Sequence, residues 1–184
     1  PYDSIKAAID ALPKTLDVKK PDNLQEVSKM AHFQGKDVFI KVGQKSADFT
    51  CAPCEAGENH VLSNPEVEKQ LKDKAVTGKI NLLDMEGELS PDNPTIKFMV
   101  DQGVNLGTPS YVMARPEKQT DGSFKLKVME QVKEQAVMDS ISKMVPFDAQ
   151  LAKGQITRDK HTELIKPYAD KATRAMLEFL NKSR

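Results

Sequence analysis

The order of elements along this chain predicts an α/β protein, a mixed central sheet with helices on both faces. Three observations carry that expectation. Short β-branched and aromatic runs alternate with stretches of helical periodicity, which is the pattern of strand–helix–strand crossovers. The last two runs flank Asp121-Gly122, a hairpin signal, so the sheet ends antiparallel. Two cysteines, the only two in 184 residues, stand three apart in the segment that follows the first strand run.

The first strand is Val38-Phe39-Ile40-Lys41-Val42, joined by the polar stretch Gly43 to Asp48 to Phe49-Thr50 and the cysteines. Asn64-Pro65-Glu66 reads as N-cap, first-position proline and first-turn acid of a helix that turns Val67 and Leu71 inward. Lys79-Ile80-Asn81-Leu82-Leu83 is the second strand. Asn93-Pro94 opens a helix carrying Ile96, Met99 and Val100 and closing at Gly103. Ser110 to Ala114 and Phe124 to Val128 are the hairpin strands, and a helix over about Glu130 to Val145 follows, with Val132, Ala136, Val137, Ile141 and Met144 on one face.

Flanking segments complete the chain. Residues 1–35 read as an N-terminal helical extension. Ser4 caps a first helix with Ile5, Ala8, Ile9 and Leu12; Asp22 caps a second with Leu24, Val27, Met30 and Phe33, stopped by Gly35. Residues 146–184 read as a C-terminal helical segment, capped at Thr157 and kinked at Pro167. Its stripe of Leu164, Ile165, Tyr168, Ala172, Met176, Phe179 and Leu180 is expected to pack on the core.

Composition narrows the function classes. Lys plus Arg and Asp plus Glu number 27 each, so no net field attracts nucleic acid or an anionic membrane. No apolar run approaches the roughly 20 residues of a membrane span. The chain starts at Pro1 without an initiator methionine, which fits a mature or trimmed form.

The chemistry lies in Cys51-Ala52-Pro53-Cys54. A thiolate attacks a partner's disulfide, and a second thiol in reach resolves the mixed disulfide. On the first turn of a helix, unpaired N–H groups and the positive dipole end lower the leading thiol's pKa below its free value of about 8.5. Structural zinc needs four ligands, and no second CxxC or HxxH exists; His32, His60 and His161 are scattered. Haem attachment needs histidine after the second cysteine, where Glu55 stands. No metal or other cofactor is expected. A closed, inert disulfide is the bland alternative, although so short a loop stabilises little. The eight methionines are spread out and read as core filler.

Across residues 36–145 the chain resembles the thioredoxin-fold thiol–disulfide oxidoreductases. The resemblance rests on Cys-Ala-Pro-Cys after a strand, on Lys79 to Asp84 as a second central strand, and on Gly107-Thr108-Pro109 opening Ser110-Tyr111-Val112. With Asn64 to Val67 after the active-site helix, it is similar to the C-terminal domain of the bacterial transmembrane disulfide interchange reductase. The resemblance implies a thioredoxin-like sheet, with Cys51 as an accessible nucleophile and Cys54 as the buried resolving thiol. Pro109 is implied to be cis, with Thr108 presenting its backbone to an extended substrate.

Two departures stand out. Thr50 takes the place of the usual aromatic residue, with Phe49 one step earlier. Lys41 falls near the place of the family's buried aspartate, leaving Asp48 or Glu55 as substitutes beside the matching Lys79. The expected partners are protein thiols or disulfides and an upstream redox partner. The expected setting is a bacterial periplasm or another extracytoplasmic compartment, with the cytoplasm as alternative. The competing function is a thioredoxin-fold binding or redox-sensing module whose disulfide is structural.

Overall fold

The structure is a computed structural model that describes residues 3–4, 15–132 and 135–182. The first expected helix, from Ile5 to Leu12, lies outside the described residues. In chain order the elements are β1 (Thr15–Asp17), α1 (Pro21–Gln34), β2 (Asp37–Gly43), α2 (Ala52–Gly57), a π-helical turn (Glu58–Leu62), α3 (Pro65–Lys74), β3 (Ala75–Asn81), α4 (Pro94–Asp101), β4 (Ser110–Lys118), β5 (Phe124–Gln131), α5 (Gln135–Ala152) and α6 (Arg158–Lys182).

Among the described residues the sheet has five strands in the order β1-β3-β2-β4-β5. β1, β3 and β2 run parallel, while β4 and β5 are antiparallel. The central strands alternate between two apolar layers, as a two-residue side-chain period requires. Val38, Ile40, Val112 and Ala114 join one layer with Val27 and Ala31 of α1 and Ile96 and Met99 of α4. Phe39, Tyr111 and Met113 join the other, with Ala56 of α2, Val67 and Leu71 of α3, and the inner stripes of α5 and α6. This is the thioredoxin-like mixed sheet flanked by helices that the sequence predicts.

Local signals act where expected. The Asn64 side chain accepts from the backbone N–H groups of Glu66 and Val67, and Asn93 does the same for Thr95 and Ile96. Gly35 ends α1 in the left-handed region at φ 66°. Thr157 Oγ1 accepts from Lys160 N at 3.1 Å, and the α6 stripe packs on the core through Ile165, Ala172, Met176, Phe179 and Leu180.

Other expectations are corrected. The segment before Gly35 is not helical throughout, because Thr15–Asp17 pairs in parallel with β3 as a short edge strand. The N-cap of α1 is Lys20 rather than Asp22, since Pro21 takes the first turn. Its buried face is Val27, Ser28 and Ala31, while Phe33 is exposed. β3 begins at Ala75, four residues before the expected Lys79, because the parallel register with β2 starts at Asp37 opposite Ala75. Val100 is exposed on α4. Glu130 is strand rather than helix. β5 runs on to Gln131 because Met113 and Val112 of β4 pair with Glu130 and Gln131 beyond a bulge, so pairing overrides helix propensity. α5 then passes through Pro146 to Ala152. An internal proline costs about 3 kcal/mol, which the buried stripe of Val137, Ile141 and Met144 offsets. α6 is one element from Arg158 to Lys182 with Pro167 inside it, the position of the expected kink.

Candidate redox site

β2 ends at Gly43 and the chain swings out before returning at Thr50. That excursion is tied down by one side chain. Asn81, the last residue of β3, accepts from Lys45 N at 2.9 Å and donates to Lys45 O at 2.8 Å. Ser46 N also donates to Phe49 O, closing the turn. On the other flank, the loop before β4 is held by Gln131, which accepts from Asn105 N at 3.0 Å and donates to Asn105 O at 2.7 Å. The Ser110 hydroxyl reaches the carbonyls of Asn105 and Gly107. Two amide clamps thus fix the loops on either side of the cysteines.

Cys51 is the N-cap of α2, and Cys51 and Cys54 are joined as a disulfide with their Cα atoms 5.2 Å apart. The Cys54 backbone N–H donates to Cys51 Sγ at 3.3 Å. Ala52 and Pro53 occupy the first two helical positions, where a missing N–H costs nothing because no intrahelical acceptor exists there. Thr108–Pro109 is a cis peptide bond. Pro109 is buried and Thr108 half-buried.

Both cysteines and Pro109 border an open cleft of about 660 Å³, together with Lys41, Glu55, Glu58, Lys79 and Tyr111. Exposure of the cysteines runs opposite to expectation. Cys51 is only 5% exposed, whereas Cys54 is half-buried. The physical reason is the capping geometry. The Cys51 sulfur lies over the helix start and accepts from Cys54 N–H, and the Cys54 sulfur lies beside Gly43, where an added Cβ would be 3.8 Å from it; both cysteines line the cleft.

The expected proton-transfer candidates divide. Lys79 and Glu55 reach the cleft, both exposed. Asp48 sits on the exposed outer turn and does not line it. The acid that sequence reading missed is Glu58, whose Oε1 is 2.6 Å from Lys41 Nζ. Lys41 in turn lies in register with Lys79 on the neighbouring strand and with Tyr111 on the other side. A local signal for Glu58 was present: it stands four residues after Cys54, and residues four apart share a helix face. Its π-helical turn, closed by Ser63 N donating to Glu58 O, directly continues α2.

Tyr111 forms the floor. Its ring stacks on Phe39 at 5.9 Å between centroids, and its hydroxyl sits over Gly57, where any Cβ would collide with it. That hydroxyl is buried and finds no hydrogen-bond partner among the described residues. Burial first, and then the Glu58 carboxylate, pushes the phenol well above its ordinary pKa.

Behind the cleft, the same helical stretch carries a second polar cluster. His60 and His161, scattered in sequence, meet with ring centroids 5.7 Å apart, and Asp148 lies between them.

The topology and the helix-capping CxxC disulfide beside a cis-proline define a thioredoxin-like α/β domain. The chain is similar to a thioredoxin from Thermus thermophilus (19% identity, 65% of this chain and 73% of that one, TM-score 0.41). It is also similar to a disulphide isomerase from Xylella fastidiosa Temecula1 (16% identity, 71% and 89%, TM-score 0.45). No protein-family model and no curated protein matches the sequence. No helix of the described residues is long and apolar enough to cross a membrane.

Proposed function

We propose that this chain is a thiol–disulfide oxidoreductase acting on protein substrates through Cys51 and Cys54. The observation that carries the reading is a closed CxxC disulfide at a helix start, opening on a cleft that Pro109 also borders. In the reducing direction, the Cys51 thiolate attacks a substrate disulfide, forming a mixed disulfide and releasing one substrate thiolate. The Cys54 thiolate then attacks the Cys51 sulfur, which re-forms the internal disulfide and releases the second. Two electrons pass from the dithiol to the substrate, and an upstream dithiol protein restores the pair.

The roles follow from electrostatics. Cys51 already accepts a backbone N–H and sits at the positive end of a helical stretch, both of which favour a thiolate. Glu58, on the Cys54 side and held by Lys41, is the group to take the resolving thiol's proton. Pro109 lines the cleft and Thr108, its partner in the cis bond, does not; the backbone of Thr108 is the edge this reading offers an extended substrate.

Trapping tests the assignment. Cys54→Ser is expected to accumulate a mixed disulfide with a disulfide-bonded protein substrate, seen on non-reducing gels, and Cys51→Ser to form none. Equal trapping by both variants removes the division of roles.

A second reading is favoured by the 5% exposure of Cys51: a redox-sensing or structural disulfide on a binding module. Alkylation of the reduced protein by iodoacetamide separates the two. An exchanger shows Cys51 reacting with a midpoint below the free-thiol value of about 8.5, and a structural bridge shows slow reaction with an ordinary midpoint.

A further inference from the structure

We propose that His60, Asp148 and His161 form a binding site for one divalent transition-metal cation, with Zn²⁺ the best match to the donor set. The three residues come from three separate elements, the π-helical turn, α5 and α6, so only the fold assembles them. Both imidazoles aim the same nitrogen at one carboxylate. Nε2 of His60 lies 2.8 Å from Asp148 Oδ1 and 3.0 Å from Oδ2, and Nε2 of His161 lies 2.6 Å from Oδ1. One potential ligand atom from each residue falls within 4.8 Å of the others.

Two imidazoles and a carboxylate are a zinc-type ligand set, and three protein ligands leave a fourth position for water. Zinc bonds of about 2.0–2.1 Å at tetrahedral angles place neighbouring ligand atoms roughly 3.3 Å apart. The edges of 2.8 and 2.6 Å therefore widen by about half to three-quarters of an ångström to admit the ion, and the edge between the two histidines, within 4.8 Å, settles to the same length.

Access and charge both fit. The His161 side chain is 10% exposed and that of His60 15%, while Asp148 is 30% exposed and gives the ion an entry path. Without a cation, both Nε2 atoms must carry protons to face one carboxylate oxygen. On cation binding each imidazole gives its Nε2 lone pair to the metal and carries one proton on Nδ1: a neutral ring shifts its Nε2 proton there through solvent, and an imidazolium releases its Nε2 proton to solvent.

The site clasps the active-site helix from behind. Glu58 and His60 are two residues apart on one helical stretch and so face opposite sides, Glu58 to Lys41 in the cleft and His60 to Asp148. An ion there fastens the continuation of α2 to the C-terminal helices.

The test uses the full chain with its disulfide closed, so that the cysteines offer no thiolate. Isothermal titration with ZnCl₂ is expected to give one ion per chain, and Zn²⁺ to raise the thermal midpoint. His60→Gln and Asp148→Asn, each checked for fold by circular dichroism, are expected to weaken binding by more than the roughly 10–100-fold seen on losing an outer-shell partner. His32→Gln, remote from the cluster, retains it. Co²⁺ is expected to give the intense visible absorption of a four-coordinate site. Absence of saturable one-to-one binding in the parent protein overturns the proposal and leaves a hydrogen-bonded cluster. Parent-like binding by both His60→Gln and Asp148→Asn overturns it equally.

Discussion

The two faces of the sheet are built to different standards. On the α1 and α4 side, Val38, Ile40, Val42, Ile80, Val112 and Ala114 meet Val27, Ala31, Ile96 and Met99 in an apolar layer. The opposite face interrupts its apolar pattern wherever the cysteines are near. Lys41 stands where β2 would otherwise place another aliphatic residue, Tyr111 buries an unpartnered hydroxyl, and α2 passes into a π-helical turn. Turns of that kind recur at functional sites. These three departures lie on the face that holds the disulfide. Both faces hold an apolar core, and the one with the disulfide also carries the polar groups of the proposed exchange.

Neighbouring residues of β2 offer the largest test of that contrast. Ile40 and Phe39 are both fully buried, one in each layer. Ile40→Ala is expected to cost about 2–5 kcal/mol and Phe39→Ala about 3–5 kcal/mol, by lost transfer energy plus cavity. Only Phe39→Ala should also slow disulfide exchange per folded molecule, because it removes the ring on which Tyr111 stacks. Denaturant unfolding and exchange assays on both variants decide this. If Ile40→Ala loses as much exchange as Phe39→Ala, the two faces are not functionally separate.

Glu58→Gln sharpens the comparison within the active face. The side chain is 47% exposed, so little stability is at stake. Resolution of the mixed disulfide should slow by about 100-fold, the low end of what positioned proton transfer contributes. Rapid-mixing measurement of substrate release reads that step directly, and an unchanged rate returns the proton to Glu55 or to solvent.

What was legible in the sequence was what the chain does locally. The Asn-Pro pairs at 64–65 and 93–94, the stop at Gly35, and the hairpin at Asp121-Gly122 act through neighbours a few residues away. So does the CxxC pair, whose capping needs only the start of its own helix. The order of strand, CxxC, strand and Gly-Thr-Pro carried the fold. The missed features are long-range. β1 is three residues long and exists by pairing with β3, while Glu130 becomes strand by pairing with Met113. His60 and His161 are separated by 101 positions and meet only once α6 docks. Glu58 lies between these cases. Its spacing from Cys54 was readable, but its partner Lys41 sits across the cleft on a strand, so the pair was not.

The smallest expected effect isolates the oddest atom of the active face. Tyr111→Phe deletes the buried hydroxyl while keeping the ring against Phe39. A buried polar group without a partner is costly, so stability near neutral pH should rise by about 1 kcal/mol. The pH dependence gives an independent reading. Folding raises the phenol's pKa above its ordinary 10.0, by burial first and then by Glu58. Below pH 10.0 the folded and unfolded chains both hold the proton, and the stability is fully present. Above it the unfolded phenol ionises while the folded one does not, so the unfolded chain binds fewer protons and stability falls as pH rises. Urea unfolding of the parent should therefore show an alkaline decline that Tyr111→Phe lessens. If the two proteins decline in parallel, the hydroxyl is solvated in the folded chain, and the floor of the cleft is wetter than its packing implies.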